Sequence, residues 1–228
     1  MYLLDNSFYC LKMLSILTLI LIVATAYAVQ WPKGTYTLVK AKAGCPTGWK
    51  EGWRQHDNED SGNKNYITPG HHFYGSFGGN MVFHYCTKDE HIISGTQPWP
   101  KGNYCILRQC ISCPPGFQMG SIFWDDEDSR NINKQGGVLP SGEYGRNTLI
   151  NYCCRSDGSF RTQISLPRSK PFYLLRFKSP CQQVQGMVVR EEIVKSDDED
   201  KRNKNDIKGS HPLNDGGGNN RLYYCYYH

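Results

Sequence analysis

Four stretches of the chain mix β-branched, aromatic and other apolar residues over a handful of positions: residues 35–40 (TYTLVK), 81–86 (MVFHYC), 148–154 (TLINYCC) and 221–227 (RLYYCYY). Gly, Pro and Asn stand around them. Short runs of this kind between turn formers predict strands, and 23 glycines and 12 prolines supply many turns. Residues 186–195 (GMVVREEIVK) fit either a helix or a strand with an exposed charged rim. The expectation is an all-β chain.

One apolar run is different. Residues 13–28 read MLSILTLILIVATAYA, preceded by Lys12. The run is too short to span a bilayer comfortably, and Ala26-Tyr27-Ala28 has the small-x-small form of a signal-peptidase site. Residues 1–28 are therefore expected to be a signal peptide cleaved after Ala28. Residues 29–228 are expected to be one exported domain with no transmembrane segment.

The polar positions repeat. Residues 56–65 (HDNEDSGNKN), 124–133 (WDDEDSRNIN) and 196–205 (SDDEDKRNKN) write one acidic phrase three times. WPKGTYTL at Trp31 returns as WPKGNYCI at Trp99, and GCPTGWKEG at Gly44 returns as SCPPGFQMG at Ser112, each 68 positions later. Asn80, Asn147 and Asn219 each stand six residues before a Tyr-preceded cysteine: Cys86, Cys153 and Cys225. The third copy is the most divergent, with four extra residues between Cys181 and Asp197. Three pseudo-repeats of about 68 residues follow, over 31–90, 99–158 and 171–228. Each is too short to be stable alone. The expected architecture is three small sheets closing into one domain, β-prism-like, with a β-trefoil as the alternative.

Of ten cysteines, Cys10 precedes Ala28 and nine follow it. In an exported chain that density implies disulfides. Cys45 and Cys86, Cys113 and Cys153, and Cys181 and Cys225 occupy matching ends of the three units. Cys105 and Cys154 lie on the opening and closing strands of the second unit and would pair if those strands are neighbours. Cys110 is left over, available for a disulfide-linked self-association. The net charge of +5 is modest and no Lys/Arg-dense run occurs, so nucleic acid is not an expected partner.

The acidic phrase invites three chemistries. Asp57, Glu59, Asp60, Asp125, Glu127, Asp128, Asp197, Glu199 and Asp200 offer the hard oxygens that calcium takes, although the EF-hand spacing is missing. Paired carboxylates serve glycoside hydrolysis, but a cluster present three times does not make one asymmetric active site, and no enzyme is expected. The third reading is structural: Asp and Asn fix turns through side-chain to backbone hydrogen bonds. Aromatic residues are 13% of the chain. Trp53, Trp124 and Tyr144 are the candidates for stacking on sugar rings. Trp53 stands out because the positions aligned with it are Ser121 and Met187.

These motifs, above all the DxED phrase with YGRNTLINYCC and NDGGGNNRLYYCYY, resemble the apextrin C-terminal (ApeC) domain over essentially all of residues 31–228. Cys110, and His56 where the family has an aromatic residue, depart from its pattern. The resemblance implies a secreted invertebrate protein. It implies binding of bacterial peptidoglycan and its muramyl dipeptide fragment in innate immunity or, alternatively, a role in extracellular matrix and cell adhesion. It assigns no ligand residue and no cofactor.

Overall fold

The computed structural model describes residues 29–199 and 203–228, so the signal-peptide expectation and Asp200 lie outside the described residues. Fourteen strands and no helix are present among the described residues. The first segment contributes β1 (Tyr36–Val39), β2 (Lys50–His56), β3 (Tyr66–Ile67), β4 (Gly75–Phe77) and β5 (Met81–Lys88). The second contributes β6 (Asn103–Arg108), β7 (Gln118–Trp124), β8 (Lys134–Gly137), β9 (Gly142–Tyr144) and β10 (Thr148–Ser156). The third contributes β11 (Phe172–Arg176), β12 (Val189–Lys195), β13 (Asp206–Gly209) and β14 (Arg221–Tyr227). The ambiguous stretch 186–195 is thus resolved as a strand, with Val194 turned inward and Glu191 outward.

The strands join in one open antiparallel sheet. Within each segment the closing strand lies between the opening strand and the second one: β5 between β1 and β2, β10 between β6 and β7, β14 between β11 and β12. The third strand of each segment leaves its own unit. β3 pairs with β12, β8 with β2, and β13 with β7. Each segment thereby covers an edge of another, which answers the open-edge problem of a small sheet. No segment is complete alone.

The opening strands are buried on both faces, which is why YTLV, YCIL and FYLL read as near-continuous apolar runs. Tyr36, Leu38, Tyr104, Ile106, Phe172 and Leu174 face one core cluster, together with three of the disulfides. The alternate residues Val39, Leu107 and Leu175 face the other. The disulfides are Cys45–Cys86, Cys113–Cys153, Cys181–Cys225 and Cys105–Cys154, and Cys110 is a free, exposed thiol.

One cross-strand pair is solved three ways. At matching register, Thr37 and Thr87 share a hydroxyl hydrogen bond of 2.7 Å, Cys105 and Cys154 form a disulfide, and Tyr173 and Tyr226 pack rings 5.2 Å apart. Glycine marks where a neighbour's strand crosses. A Cβ on Gly52 would sit 2.2 Å from the Val138 carbonyl oxygen, and one on Gly120 would sit 2.2 Å from that of Ser210. At the third crossing the matching residue is Glu192, whose buried carboxylate accepts from Tyr173 Oη (2.5 Å) and the His72 backbone N–H (3.1 Å) and bonds His72 Nδ1 (2.7 Å).

The strand register corrects one alignment. Trp53 opposes His84, Ser121 opposes Asn151, and Ile193 opposes Tyr223. The residue matching Trp53 in the third segment is Ile193, not Met187, because the extra residues are taken up ahead of β12.

Candidate ligand-binding surface and the acidic loops

The acidic phrases are straps between segments. Asp57 Oδ2 accepts from the backbone N–H of Ile132, Asp125 Oδ2 from that of Lys204, and Asp197 Oδ2 from that of Lys64, at 2.8, 2.8 and 2.7 Å. Their own N–H groups donate to Asn133, Asn205 and Asn65 Oδ1 at 2.7, 2.8 and 2.7 Å. Each phrase therefore grips the Asn-x-Asn turn of another segment, and that turn ends the phrase itself. The turn is self-bonded, with Asn65, Asn133 and Asn205 N–H donating to Asn63, Asn131 and Asn203 Oδ1. The loops also touch directly: Glu59 N–H donates to the Asp197 carbonyl and Glu127 N–H to that of Asp57.

The second position of each phrase is buried: Asn58, Asp126 and Asp198. Asp126 receives hydrogen bonds from Thr148 Oγ1 (2.5 Å) and Asn133 Nδ2 (2.8 Å) and pairs with Arg54 (3.4 Å) and His56 (3.2 Å). Asp198 accepts from Asn58 Nδ2 (3.2 Å) and Asn205 Nδ2 (2.6 Å). Burial, and secondarily the charge of Asp126, push the Asp198 carboxyl up to about 7. Asp57 is also raised, mainly by burial.

The remaining acids diverge. Glu127 is buried, with Oε1 accepting from Ser129 N–H at 2.6 Å. Glu199 Oε2 accepts from Asp128 N–H, and exposed Asp128 pairs with Arg146 at 2.7 Å. Glu59 is half-buried and Asp60 exposed. No group of three or more His, Cys, Asp or Glu side chains placed to hold a metal ion occurs among the described residues.

The three aromatic candidates are not brought together on one surface. Trp124 is buried, its ring 5.6 Å from His56, so it offers no open face. Tyr144 packs against the core and donates to the Pro140 carbonyl at 2.8 Å. Trp53 is partly exposed, but its indole lies over Gly136 of β8, filling the place of a missing side chain.

An aromatic cleft lies elsewhere, with Trp31 and Trp49 drawn from the repeated stretches WPKGTYTL and GCPTGWKEG. Trp31, Pro46, Trp49, Ile93 and Lys170 line a hollow of about 410 Å³, a size that suits a small ligand. Trp31 packs edge-on against Trp49 and Phe172, both at 5.1 Å, and stays partly exposed. Its counterpart Trp99 is closed off at 4% exposure, so the repeat does not demand an open tryptophan here. Lys170 Nζ donates to the Cys45 carbonyl at 3.0 Å, which sets an ammonium on the rim. The repeat shows Trp31 and Trp99 as counterparts, but no sequence pattern carries their difference in exposure.

The class that emerges is an all-β, disulfide-linked domain whose acidic loops bind its own backbone. The chain belongs to the family of the C-terminal domain of apextrin (ApeC), whose model matches residues 31–227. This is a family of non-enzymatic domains. No curated protein and no solved structure matches the chain. No helix among the described residues is long and apolar enough to cross a membrane, and the four disulfides fit an extracellular protein.

Proposed function

We propose that the protein is a secreted, non-catalytic recognition protein of invertebrate innate immunity that binds bacterial cell-wall glycan: peptidoglycan and its muramyl dipeptide fragment. The observation that carries this reading is the Trp31–Trp49 cleft with Lys170 on its rim. An indole face stacks on the C–H face of a sugar ring, and an ammonium meets the carboxylates that muramyl peptides carry. Residues 1–28 act as the export signal. The three segments are copies set about a pseudo-threefold axis in a prism-like arrangement, a reading supported by the cyclic exchange of β3, β8 and β13.

Sedimentation with insoluble peptidoglycan, in matched calcium and chelator buffers, tests this. Retention in both buffers is expected, because the first-position aspartates are held by backbone N–H groups. Retention only with calcium would return the acidic loops to the binding site. No retention in either buffer would move the assignment to the matrix and adhesion reading.

A further inference from the structure

The core cluster of Val39, Leu107 and Leu175 encloses a hollow of about 30 Å³, and every residue that lines it is buried. Its walls are mostly apolar. Three tyrosines also line it, one from each closing strand: Tyr85, Tyr152 and Tyr224. They match in register, opposing Gly52, Gly120 and Glu192. All three segments therefore bound the hollow.

The hydroxyls of these three tyrosines make no hydrogen bond among the described residues. The tyrosines of the other core cluster differ: Tyr36, Tyr104 and Tyr227 donate to the carbonyls of Pro32, Pro100 and Gln182 at 3.1, 2.5 and 2.7 Å. A buried phenol with no partner is destabilising, because its hydroxyl gives up water and receives nothing in return. Burial is the first cause that holds all three phenols above the usual range. Tyr224 and then Tyr85 add to the rise at Tyr152, Tyr85 adds to it at Tyr224, and Arg54 opposes it at Tyr85. Each phenol therefore keeps its proton and can donate as well as accept.

We propose that this hollow is a binding site for water, in which about two molecules bridge the hydroxyls of Tyr85, Tyr152 and Tyr224 and tie the three segments together from within. Size selects the guest. One water needs about 10–15 Å³ of such space and a few polar partners, so the hollow of about 30 Å³ is too small for an organic molecule. The lining selects it as well. No Asp, Glu, Lys or Arg lines the hollow, so an ion of either sign would be buried without a counter-charge. The other polar side chains at the wall have partners. His56 Nδ1 meets Asp126 at 3.2 Å, Ser196 Oγ donates to the Asn220 carbonyl at 3.3 Å, and Asn220 Nδ2 donates to the Phe123 carbonyl at 3.2 Å. The three hydroxyls are left for the guest. A water that accepts from one phenol and donates to another is neutral and satisfies both. This site is independent of the Trp31 cleft.

Replacing each tyrosine by Phe tests this by sign. Removing a hydroxyl that is unpaired in a dry hollow stabilises the fold, whereas removing one that is bound to water destabilises it. Tyr85→Phe, Tyr152→Phe and Tyr224→Phe are each expected to lower the folding equilibrium constant about fivefold, read by urea unfolding with disulfides intact. Oxygen-17 relaxation dispersion of the solvent counts the waters held inside the native protein. The variant carrying all three substitutions is expected to hold about two fewer than the parent. Single variants as stable as the parent or more stable, or an unchanged water count in the triple variant, would overturn the proposal.

Discussion

Replacing Asp198 by Asn removes one buried carboxyl and leaves its shape. Asp198 is wholly buried, and its carboxyl titrates at about 7 against 3.8 for the ordinary group. A raised carboxyl stabilises the fold below the unfolded value, and that contribution is lost as pH rises through the folded value. Stability from this group therefore falls between roughly pH 4 and 7. At about 1.4 kcal/mol per unit, the fall is on the order of 4 kcal/mol as an upper bound. Asp126 adds to this rise, whereas the hydrogen bonds from Ser196 and Asn205 and the charge of His56 oppose it. Asn58 already stands at the matching position of the first segment, so an amide is compatible with the loop. The variant loses part of the acceptor set that Asn205 and Asn220 use, worth about 1 kcal/mol. The expectation is a variant slightly less stable than the parent at pH 5 and equal or more stable at pH 8. Urea unfolding with disulfides intact, from pH 5 to 8.5, measures both curves. Parallel curves across this range would refute the assignment of the buried proton to Asp198.

Other substitutions probe the joints between segments. Gly52→Ala is expected to cost more than 2 kcal/mol, because its Cβ meets the Val138 carbonyl at 2.2 Å, whereas Gly145→Ala meets nothing within 4 Å and is expected to be near neutral in the same unfolding assay. Asp57→Ala leaves the Ile132 N–H without its acceptor and is expected to cost about 2 kcal/mol. Joint replacement of Cys105 and Cys154 by Thr, the pair the first segment uses, is expected to lose up to about 4 kcal/mol of loop-closure stabilisation but still to fold, read by thermal unfolding. Cys110→Ser is expected to remove maleimide labelling of the native protein, since Cys110 is the free and exposed thiol among the described residues.

Much of this architecture was legible in the chain. Composition and alternation announce an all-β protein, and equal spacing puts Cys45 with Cys86, Cys113 with Cys153 and Cys181 with Cys225, the pairs the structure joins. The acidic phrase was legible as a repeated loop, but its grip on another segment was not. A carboxylate that binds a backbone N–H some 75 residues away leaves no periodic trace. The exchange of third strands was hidden for the same reason, although Gly52 and Gly120, spaced by 68, mark two of its three crossings. The aromatic candidates were chosen by chemical type, which carries no information on burial: Trp53 and Tyr144 stay partly exposed. Trp124 fills the interior beside His56, while Trp31, which reads only as the start of a repeat, keeps an open face.

The most direct test of the recognition account compares four proteins on insoluble peptidoglycan: the parent, Trp31→Ala, Lys170→Ala and Gly145→Ala. The account predicts retention of the parent and of Gly145→Ala, with a loss of tenfold or more in affinity for Trp31→Ala and a smaller loss for Lys170→Ala. Equal retention of all four would contradict the placement of the glycan in the Trp31 cleft, and no retention of the parent would contradict cell-wall recognition itself.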